Sequence, residues 1–295
     1  MSQDTYRHAE ALVDTTWLEA HLGDAQVRVF DGTVYLHPVE EGADAPYRVE
    51  SGRADYEAGH IPGAGFLDLP GELSDPDSRL RFMAPPAEQF ARVMGAHGVG
   101  DQSRVVLYSR GSMMWATRLW WMLRAFGFDG AAVLDGGFYK WAAEGRPVST
   151  EPSSYPSVAF KARPRPELIA GKEEVLAAIG RDGTCILNAL GEEQHRGDGP
   201  ATYGRAGRIP ASVNVPVRGL VDPETRALLP PEELRRRFAD VGAMDSGRVI
   251  TYCGGGIAAS GDALVLTLLG HANVAVYDGS MSEWASDPAL PMETG

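Results

Sequence analysis

The most constraining feature of this sequence is an internal duplication that spans most of its 295 residues. Residues 103–141 and 247–284 share one pattern: an apolar strand, a short loop, an apolar helical stretch, a glycine, a second strand, and then Asp-Gly and Trp. Upstream, residues 59–62 (Gly-His-Ile-Pro) correspond to residues 207–210 (Gly-Arg-Ile-Pro), so the matched pieces keep their order. Solenoid repeats recur every ~20–50 residues. The longer period here indicates two copies of one domain.

Short apolar runs alternate with helical patterns in both halves. The runs VRVFDG, VVLYS and AAVLDG of the first half correspond to TCILNA, RVITYC and VAVYDG of the second. Residues 86–97 and 231–241 are typical of helices, and each begins with a proline, which suits the first turn. The alternation predicts an α/β fold in which each half is a mainly parallel sheet flanked by helices on both faces.

One segment separates the two copies. Residues 145–166 are rich in proline and serine, a composition typical of an extended linker over the surface. We therefore predict a first domain over residues 1–148, a linker over residues 149–166 and a second domain over residues 167–295.

Composition and charge exclude several classes of function. Hydrophobic residues make up 44 % of the chain, which is a globular balance. The 40 acidic and 27 basic residues give a net charge of −13, which opposes binding to nucleic acid or to an anionic membrane. No apolar run approaches the ~18 residues of a membrane span, and the polar start lacks the apolar core of a signal peptide. Two cysteines are too few for a disulfide framework or a cysteine-based zinc site. We expect a cytoplasmic protein.

Cys253 is the candidate catalytic residue. It ends an apolar strand, three glycines follow it, and a helical stretch comes next. Ligands of open α/β sheets bind at the carboxyl ends of strands. The glycines allow backbone N–H groups to turn around the sulfur, and the positive end of the helix points the same way, so both favour the thiolate. The expected cradle consists of Gly254, Gly255, Gly256, Ile257 and Ala258. Cys185 lies inside an apolar strand and is predicted to be a core residue.

These segments resemble those of the tandem rhodanese-type sulfurtransferases, and the likeness covers nearly the whole chain. Residues 253–259 are similar to that family's active-site loop, especially to the Cys-Gly-Ser-Gly-Val-Thr-Ala form of its mercaptopyruvate members. Residues 12–18 and 277–284 resemble its first and last segments. The resemblance implies two rhodanese-like domains with the active site in the cleft between them. The repeat places Ser109 opposite Cys253, which agrees with a family whose first domain has lost the cysteine.

The chemistry that the resemblance implies is sulfur transfer. Cys253 would take a sulfane sulfur from a small anionic donor, 3-mercaptopyruvate or thiosulfate, and hold it as a persulfide. It would then pass the sulfur to a thiol, cyanide or protein acceptor. Inward N–H groups can stabilise a persulfide anion, so no metal or organic cofactor is expected.

The resemblance also suggests two residues for substrate binding. Arg196 matches a family arginine that would hold the anionic donor through its guanidinium. His60 matches a histidine that would face the loop across the cleft. From the residues alone, Arg196 is equally a solvated loop charge and His60 a turn residue with a satisfied ring. The chain departs from the family at Leu190, where an arginine is usual, and at Gly255, where mercaptopyruvate enzymes carry a serine proposed to help protonate the leaving group.

Two rival functions follow from the same residues. A cysteine phosphatase also uses a cysteine in an N–H cradle, but its Cys-x5-Arg loop would need arginine where Ala259 stands. This rival is set aside because the charge for a phosphate dianion is absent. A non-catalytic sulfur-carrier or protein-binding rhodanese module stays open as the alternative, and the missing arginine at Leu190 is its main support.

Overall fold

The computed structural model of the chain describes residues 6–40, 46–199 and 201–295. The helices and strands of the first half are β1 (Leu12–Val13), α1 (Thr15–His21), β2 (Val27–Asp31), β3 (Val34–His37), β4 (Arg48–Ser51), α2 (Arg53–Ala58), β5 (Gly65–Phe66), α3 (Ala87–Ala96), β6 (Arg104–Tyr108), α4 (Met114–Ala125), β7 (Ala131–Leu134) and α5 (Gly137–Ala143). Those of the second half are β8 (Ile169–Ala170), α6 (Lys172–Ala178), β9 (Thr184–Asn188), α7 (Glu192–Arg196), β10 (Val213–Asn214), α8 (Pro231–Asp240), β11 (Arg248–Tyr252), α9 (Ile257–Leu268), β12 (Val274–Tyr277) and α10 (Ser280–Trp284).

Each half contains a five-stranded sheet in which every pair of neighbours is parallel. The strand order is β1-β7-β6-β2-β5 in the first half and β8-β12-β11-β9-β10 in the second. These orders are identical once the halves are aligned, so the predicted α/β fold of two similar domains, each built on a parallel sheet, is confirmed. The predicted apolar runs form the three central strands of each sheet, and the predicted helices are α3 and α8.

The two sheets share part of one apolar core. Alternate residues of β11 face opposite sides: Val249 packs in a cluster that continues into the first half, whereas Ile250 packs in a cluster confined to the second. The shared cluster runs through α4 and α9, which lie against each other. Between these helices the hydroxyl oxygens of Thr117 and Ser260 are 2.8 Å apart. The packing of α4 on α9 therefore fixes the first domain beside the helix that follows Cys253.

An antiparallel hairpin interrupts the first copy. Strands β3 and β4 pair from Val34 opposite Ser51 to His37 opposite Arg48. The described part of the second half has no counterpart, and the sequence analysis did not predict the hairpin. It matters for function because Leu36, on the hairpin, and Tyr47, just before β4, reach the cavity above Cys253.

The segment between the two copies is extended and is fastened to the first domain. Residues 150–165 contain no helix or strand. The backbone N–H of Val158 donates to Gly95 O (3.0 Å), and that of Arg163 donates to Phe126 O (2.8 Å). The Tyr155 hydroxyl donates to Gly63 O (2.7 Å). These bonds hold the segment along the surface, while the exact domain boundaries stay a prediction.

Candidate active site

Cys253 lies at the carboxyl end of β11, at the floor of a cavity of about 330 Å³. Its side chain is almost fully buried, so the sulfur is reached only through this cavity. Both domains contribute walls. The first domain supplies Leu36, Tyr47, Phe82, Ser112 and Met114. The second supplies, among others, Leu190, Gln194, Tyr203, Val217 and Arg218. The cavity therefore occupies the cleft that the resemblance implied.

A serine at the start of α10 holds the loop in place. The backbone N–H groups of Cys253 and Gly256 both donate to Ser280 Oγ, at 3.0 and 3.1 Å. Ser280 Oγ donates in turn to Tyr277 O (2.7 Å), and Ser282 Oγ donates to Gly254 O (2.7 Å). The segment that closes the chain's second repeat is thus the support on which the cysteine loop rests.

The loop leaves several backbone donors free. No acceptor in the described residues takes a hydrogen bond from the N–H groups of Gly254, Gly255, Ile257 or Ala258. The first N–H groups of a helix have no partner within it, and a negative charge placed beside them is stabilised. The loop therefore keeps the donors that a thiolate or persulfide on Cys253 would need.

The three glycines of the loop are not equivalent. Gly256 has a φ of +74°, and an added Cβ would lie 2.7 Å from Asp278 Oδ1. An added Cβ on Gly254 would lie 2.0 Å from the Tyr203 hydroxyl oxygen. On Gly255 the nearest atoms to an added Cβ are 3.8 Å away. Two glycines are thus required by the packing, whereas position 255 accepts a side chain.

A buried ion pair connects the loop to the first domain. Arg118 of α4 donates to Asp278 Oδ1 (2.5 Å) and to Phe82 O (2.5 Å). Asp278 Oδ2 accepts the backbone N–H of Ala84 (2.8 Å). The side chains of Arg118 and Asp278 are only 0 % and 5 % exposed. Asp278 also lies so close to Gly256 that a side chain at this glycine would collide with it. The ion pair therefore links the conformation of the cysteine loop to the position of the first domain.

The cavity is apolar and nearly uncharged. Among the described residues that line it, Arg218 is the only charged one. Burial, followed by the electrostatic effect of Cys253, raises the pKa of Tyr47 to about 12 and raises the pKa of Tyr203 as well. Both hydroxyls therefore stay protonated at neutral pH, and they are neutral hydrogen-bond donors beside the sulfur.

The structure does not bring Arg196 to this cavity. It ends α7, its side chain is 44 % exposed, and its Nε donates to Asp198 Oδ2 (2.7 Å) while Nη1 lies 3.6 Å from Glu192 Oε2. The positive charge of Arg196 is therefore balanced by two carboxylates at an exposed helix end. The interpretation as a solvated loop charge fits this placement, and the role of donor anchor does not.

His60 also lies away from the cavity. Its side chain is 1 % exposed, its ring stacks on that of Tyr56 with the centroids 4.2 Å apart, and its Nδ1 and Nε2 lie 2.9 Å from Tyr56 O and 3.1 Å from Glu151 O. A neutral imidazole carries one N–H, so the ring donates to one of these carbonyls and lies in close contact with the other, both inside the first domain. This position fits a turn residue packed within the first domain and corrects the expectation that His60 faces the loop.

The structure also gives the positions of the other residues named in the sequence analysis. Cys185 is buried within β9, and burial raises the pKa of its thiol to about 11. Ser109 follows β6 as Cys253 follows β11. Leu190 lines the cavity and adds an apolar surface. Within the described residues, no group of three or more His, Cys, Asp or Glu side chains is arranged to hold a metal ion.

Comparison with known proteins agrees with this geometry. A family model for the rhodanese-like domain matches residues 14–144 and again residues 173–287. The chain belongs to the rhodanese family. This rhodanese is 34 % identical to the thiosulfate sulfurtransferase of Rattus norvegicus, over 93 % of its own length and 91 % of that protein. It is 32 % identical to the 3-mercaptopyruvate sulfurtransferase of Escherichia coli K12, over 95 % and 97 % of the two chains.

Two further similarities bear on its function. The crystal structure of SseA from Escherichia coli, described as a 3-mercaptopyruvate sulfotransferase, aligns with a TM-score of 0.78 and 31 % identity, covering 92 % of this chain and 98 % of that one. The sulfur carrier protein TtuD of Thermus thermophilus is 32 % identical over 98 % and 99 % of the two chains. The rhodanese described here is a sulfurtransferase, as the resemblance implied.

Several residues around Cys253 were not recognised from the sequence. Ser280 and Asp278 lie in a segment that the resemblance did mark, but its role as support for the loop was not inferred. Arg118, Tyr203 and Arg218 carry no local motif. Their positions depend on how the two domains and the long loops pack, which a short pattern does not encode.

Proposed function

We propose that this rhodanese moves a sulfane sulfur from 3-mercaptopyruvate or thiosulfate to a thiol, cyanide or protein acceptor through a persulfide on Cys253. The observation that carries the proposal is the position of Cys253: a buried sulfur at the floor of a cleft, on a loop with free N–H groups. Neither a core cysteine nor a surface cysteine has this combination.

The reaction divides into two displacements. In the first, the Cys253 thiolate attacks the transferable sulfur of the donor and a sulfur–sulfur bond forms. With 3-mercaptopyruvate the carbon–sulfur bond breaks, and the resulting enolate of pyruvate takes up a proton. With thiosulfate the sulfur–sulfur bond breaks and sulfite leaves. In the second step a thiolate or cyanide attacks the outer sulfur, and the product is a new persulfide or thiocyanate. Cys253 returns to its thiolate.

The surrounding groups have separate parts in this scheme. The N–H groups of residues 254, 255, 257 and 258 stabilise the anion on the sulfur. The neutral hydroxyls of Tyr47 and Tyr203 donate hydrogen bonds toward negative charge that develops in the cavity. The apolar remainder of the lining excludes water, which strengthens these electrostatic interactions.

Mass spectrometry of the intact chain tests the central step. After incubation with each donor, the mass is expected to rise by one sulfur atom, and peptide mapping is expected to place that atom on Cys253. Addition of a thiol or cyanide acceptor then restores the original mass. A sulfur mapped to Cys185, or no addition with either donor, contradicts the proposal.

The alternative is a non-catalytic sulfur carrier or protein-binding module. Two observations favour it: the likeness to the Thermus carrier protein and the apolar Leu190 in the cavity wall. A carrier forms the persulfide but does not turn over on small acceptors. Repeated turnover of donor with cyanide or a small thiol therefore identifies an enzyme, and a single stoichiometric loading identifies a carrier.

Position 255 is expected to set the preference between donors. We predict that Gly255→Ser raises kcat for 3-mercaptopyruvate by about tenfold relative to thiosulfate, since only the enolate leaving group gains from a nearby proton donor. The position accepts the side chain, because the nearest atoms to an added Cβ are 3.8 Å away. Gly255→Ala is the matched control, since it adds the Cβ without a hydroxyl. Steady-state kinetics with both donors decide the matter, and an unchanged ratio in Gly255→Ser contradicts the assignment.

A location in the cytoplasm fits this chemistry. Both cysteines are unpaired in the structure, and the second displacement requires Cys253 as a free thiolate, the form that a reducing compartment maintains. None of the described helices is long and apolar enough to cross a membrane. The net charge of −13 disfavours nucleic acid as a partner and leaves small molecules and proteins as acceptors.

A further inference from the structure

Arg218 is a cation without a partner at the edge of the cavity. It lines the same space as Cys253, and it is an exposed residue. It makes no hydrogen bond, ion pair or ring contact with any residue that the structure describes. The chain carries 40 acidic residues, yet none of those that the structure describes lines this cavity, so the guanidinium there is not neutralised by a neighbouring carboxylate.

The backbone that carries Arg218 is firmly held. It lies in a short 3-10 turn, Val217–Leu220, whose first and last residues are buried. The N–H of Val217 donates to Ala189 O (3.1 Å), and its side chain packs on Gly261 of α9 so closely that an added Cβ there would lie 2.5 Å away. Because α9 is the helix that begins at the cysteine loop, the turn and the loop are fixed to one element.

We propose that Arg218 holds the anionic group of the sulfur donor while the donor's sulfur reaches Cys253. The proposal rests on the proposed function and adds to it the residue that recognises the substrate class. A guanidinium binds carboxylate and sulfonate-type groups through two parallel N–H bonds, and its five donors are all unused here. Leu190 and the paired Arg196 supply no such group within the cavity.

The other residues that line the cavity also favour an anionic ligand. No described carboxylate lines the cavity, so nothing there repels or competes with an anion. The lining also includes apolar groups such as Leu190, Met114 and Ile257. The substrate class that fits is a short molecule with one anionic end for Arg218 and a transferable sulfur for Cys253.

A pair of alkylating reagents tests this without sulfur transfer. In each, the Cys253 thiolate forms a sulfur–carbon bond, the carbon–iodine bond breaks and iodide leaves. Iodoacetate carries a carboxylate and iodoacetamide is its neutral counterpart, so the ratio of their rates at Cys253 reports attraction of an anion. Arg218→Ala is expected to lower this ratio by about tenfold or more, with the rate for iodoacetamide nearly unchanged. Arg218→Lys is expected to recover part of it.

Two other arginine variants are measured beside these. Arg236→Ala removes an exposed arginine that pairs with Asp240 on α8, and it controls for the loss of one positive charge. Arg196→Ala tests the role that the family resemblance gave to that residue. We expect wild-type ratios in both. A fall in Arg196→Ala with none in Arg218→Ala overturns the proposal.

Steady-state kinetics complete the test. Arg218→Ala is expected to lower kcat/KM for 3-mercaptopyruvate and for thiosulfate by about ten- to a hundredfold. If the alkylation ratio falls but the wild type transfers no sulfur from either donor, the anion site stands and the proposed function fails. If the wild type transfers sulfur but neither the ratio nor kcat/KM changes in Arg218→Ala, the proposed function stands and this inference fails.

Discussion

Replacing Cys253 by serine is expected to reduce sulfur transfer more than about a thousandfold, to the level of the uncatalysed reaction. A serine hydroxyl is not ionised at neutral pH, and its oxygen does not form the sulfur–sulfur bond that stores the transferred atom. The loop itself should persist, because Ser280 holds it through the backbone N–H groups of Cys253 and Gly256 rather than through the sulfur. Rates with both donors, together with intact mass, provide the measurement.

The other cysteine is the matched control. Cys185 lies within β9, and the raised pKa of its thiol keeps it protonated at neutral pH, where only a thiolate would attack a donor. Cys185→Ala is therefore expected to keep both the activity and the added sulfur, with some loss of thermal stability from the small cavity that it creates. Activity that survives in Cys253→Ser, or disappears in Cys185→Ala, would contradict the assignment of the nucleophile.

The fold, and the position of Cys253 at the cavity, were predictable from the sequence because both depend on local patterns that occur in order. The central strands are short, mainly apolar runs such as Val249–Tyr252, which pack on both faces and therefore lack a polar side. The parallel order follows from the alternation of strands and helices. Cys253 stands at a strand end before three glycines, a combination with few structural alternatives. The duplication repeated the strand and helix pattern, whereas the cysteine occurs only in the second copy, opposite Ser109.

The donor contacts could not be predicted in the same way. Arg196 satisfies a motif, but α7 ends at this residue and two acidic neighbours, Asp198 and Glu192, take its charge. His60 likewise satisfies a motif, yet its ring turns inward between Tyr56 and the segment that follows the first domain. A sequence motif predicts the path of the backbone but not the direction of each side chain. The direction of a side chain at a loop depends on neighbours that are distant in sequence.

The hairpin β3–β4 is a whole structural element that the sequence patterns did not predict. Its strands, Val34–His37 and Arg48–Ser51, are four residues each and only Val34 is buried, so they show little of the apolar pattern that marks a core strand. It also has no counterpart in the described second half, so the duplication could not reveal it. Its contribution of Leu36 to the cavity follows from tertiary packing alone.

Replacing Arg118 by methionine is expected to lower the free energy of unfolding by about 3–5 kcal/mol, because it leaves the buried carboxylate of Asp278 without its cation. Asp278 adjoins Gly256, so the variant should also lower kcat/KM for both donors. Arg124→Met is the matched control on the same helix: its pairing with Asp129 is partly exposed, and surface pairs contribute about 0–1 kcal/mol. Chemical denaturation followed by steady-state kinetics measures both effects.

The double variant Arg118→Met/Asp278→Leu distinguishes the contribution of the ion pair to stability from its contribution to activity. Without either charge, neither member of the pair is left unpaired, and apolar replacements of buried pairs are often neutral or stabilising. Stability is therefore expected to return toward that of the wild type. Activity is not expected to return, since Asp278 Oδ2 also accepts the N–H of Ala84 and its removal frees the first domain's contact with the loop. If activity recovers together with stability, the pair serves the fold alone, and the alignment of the cysteine loop must come from Ser280.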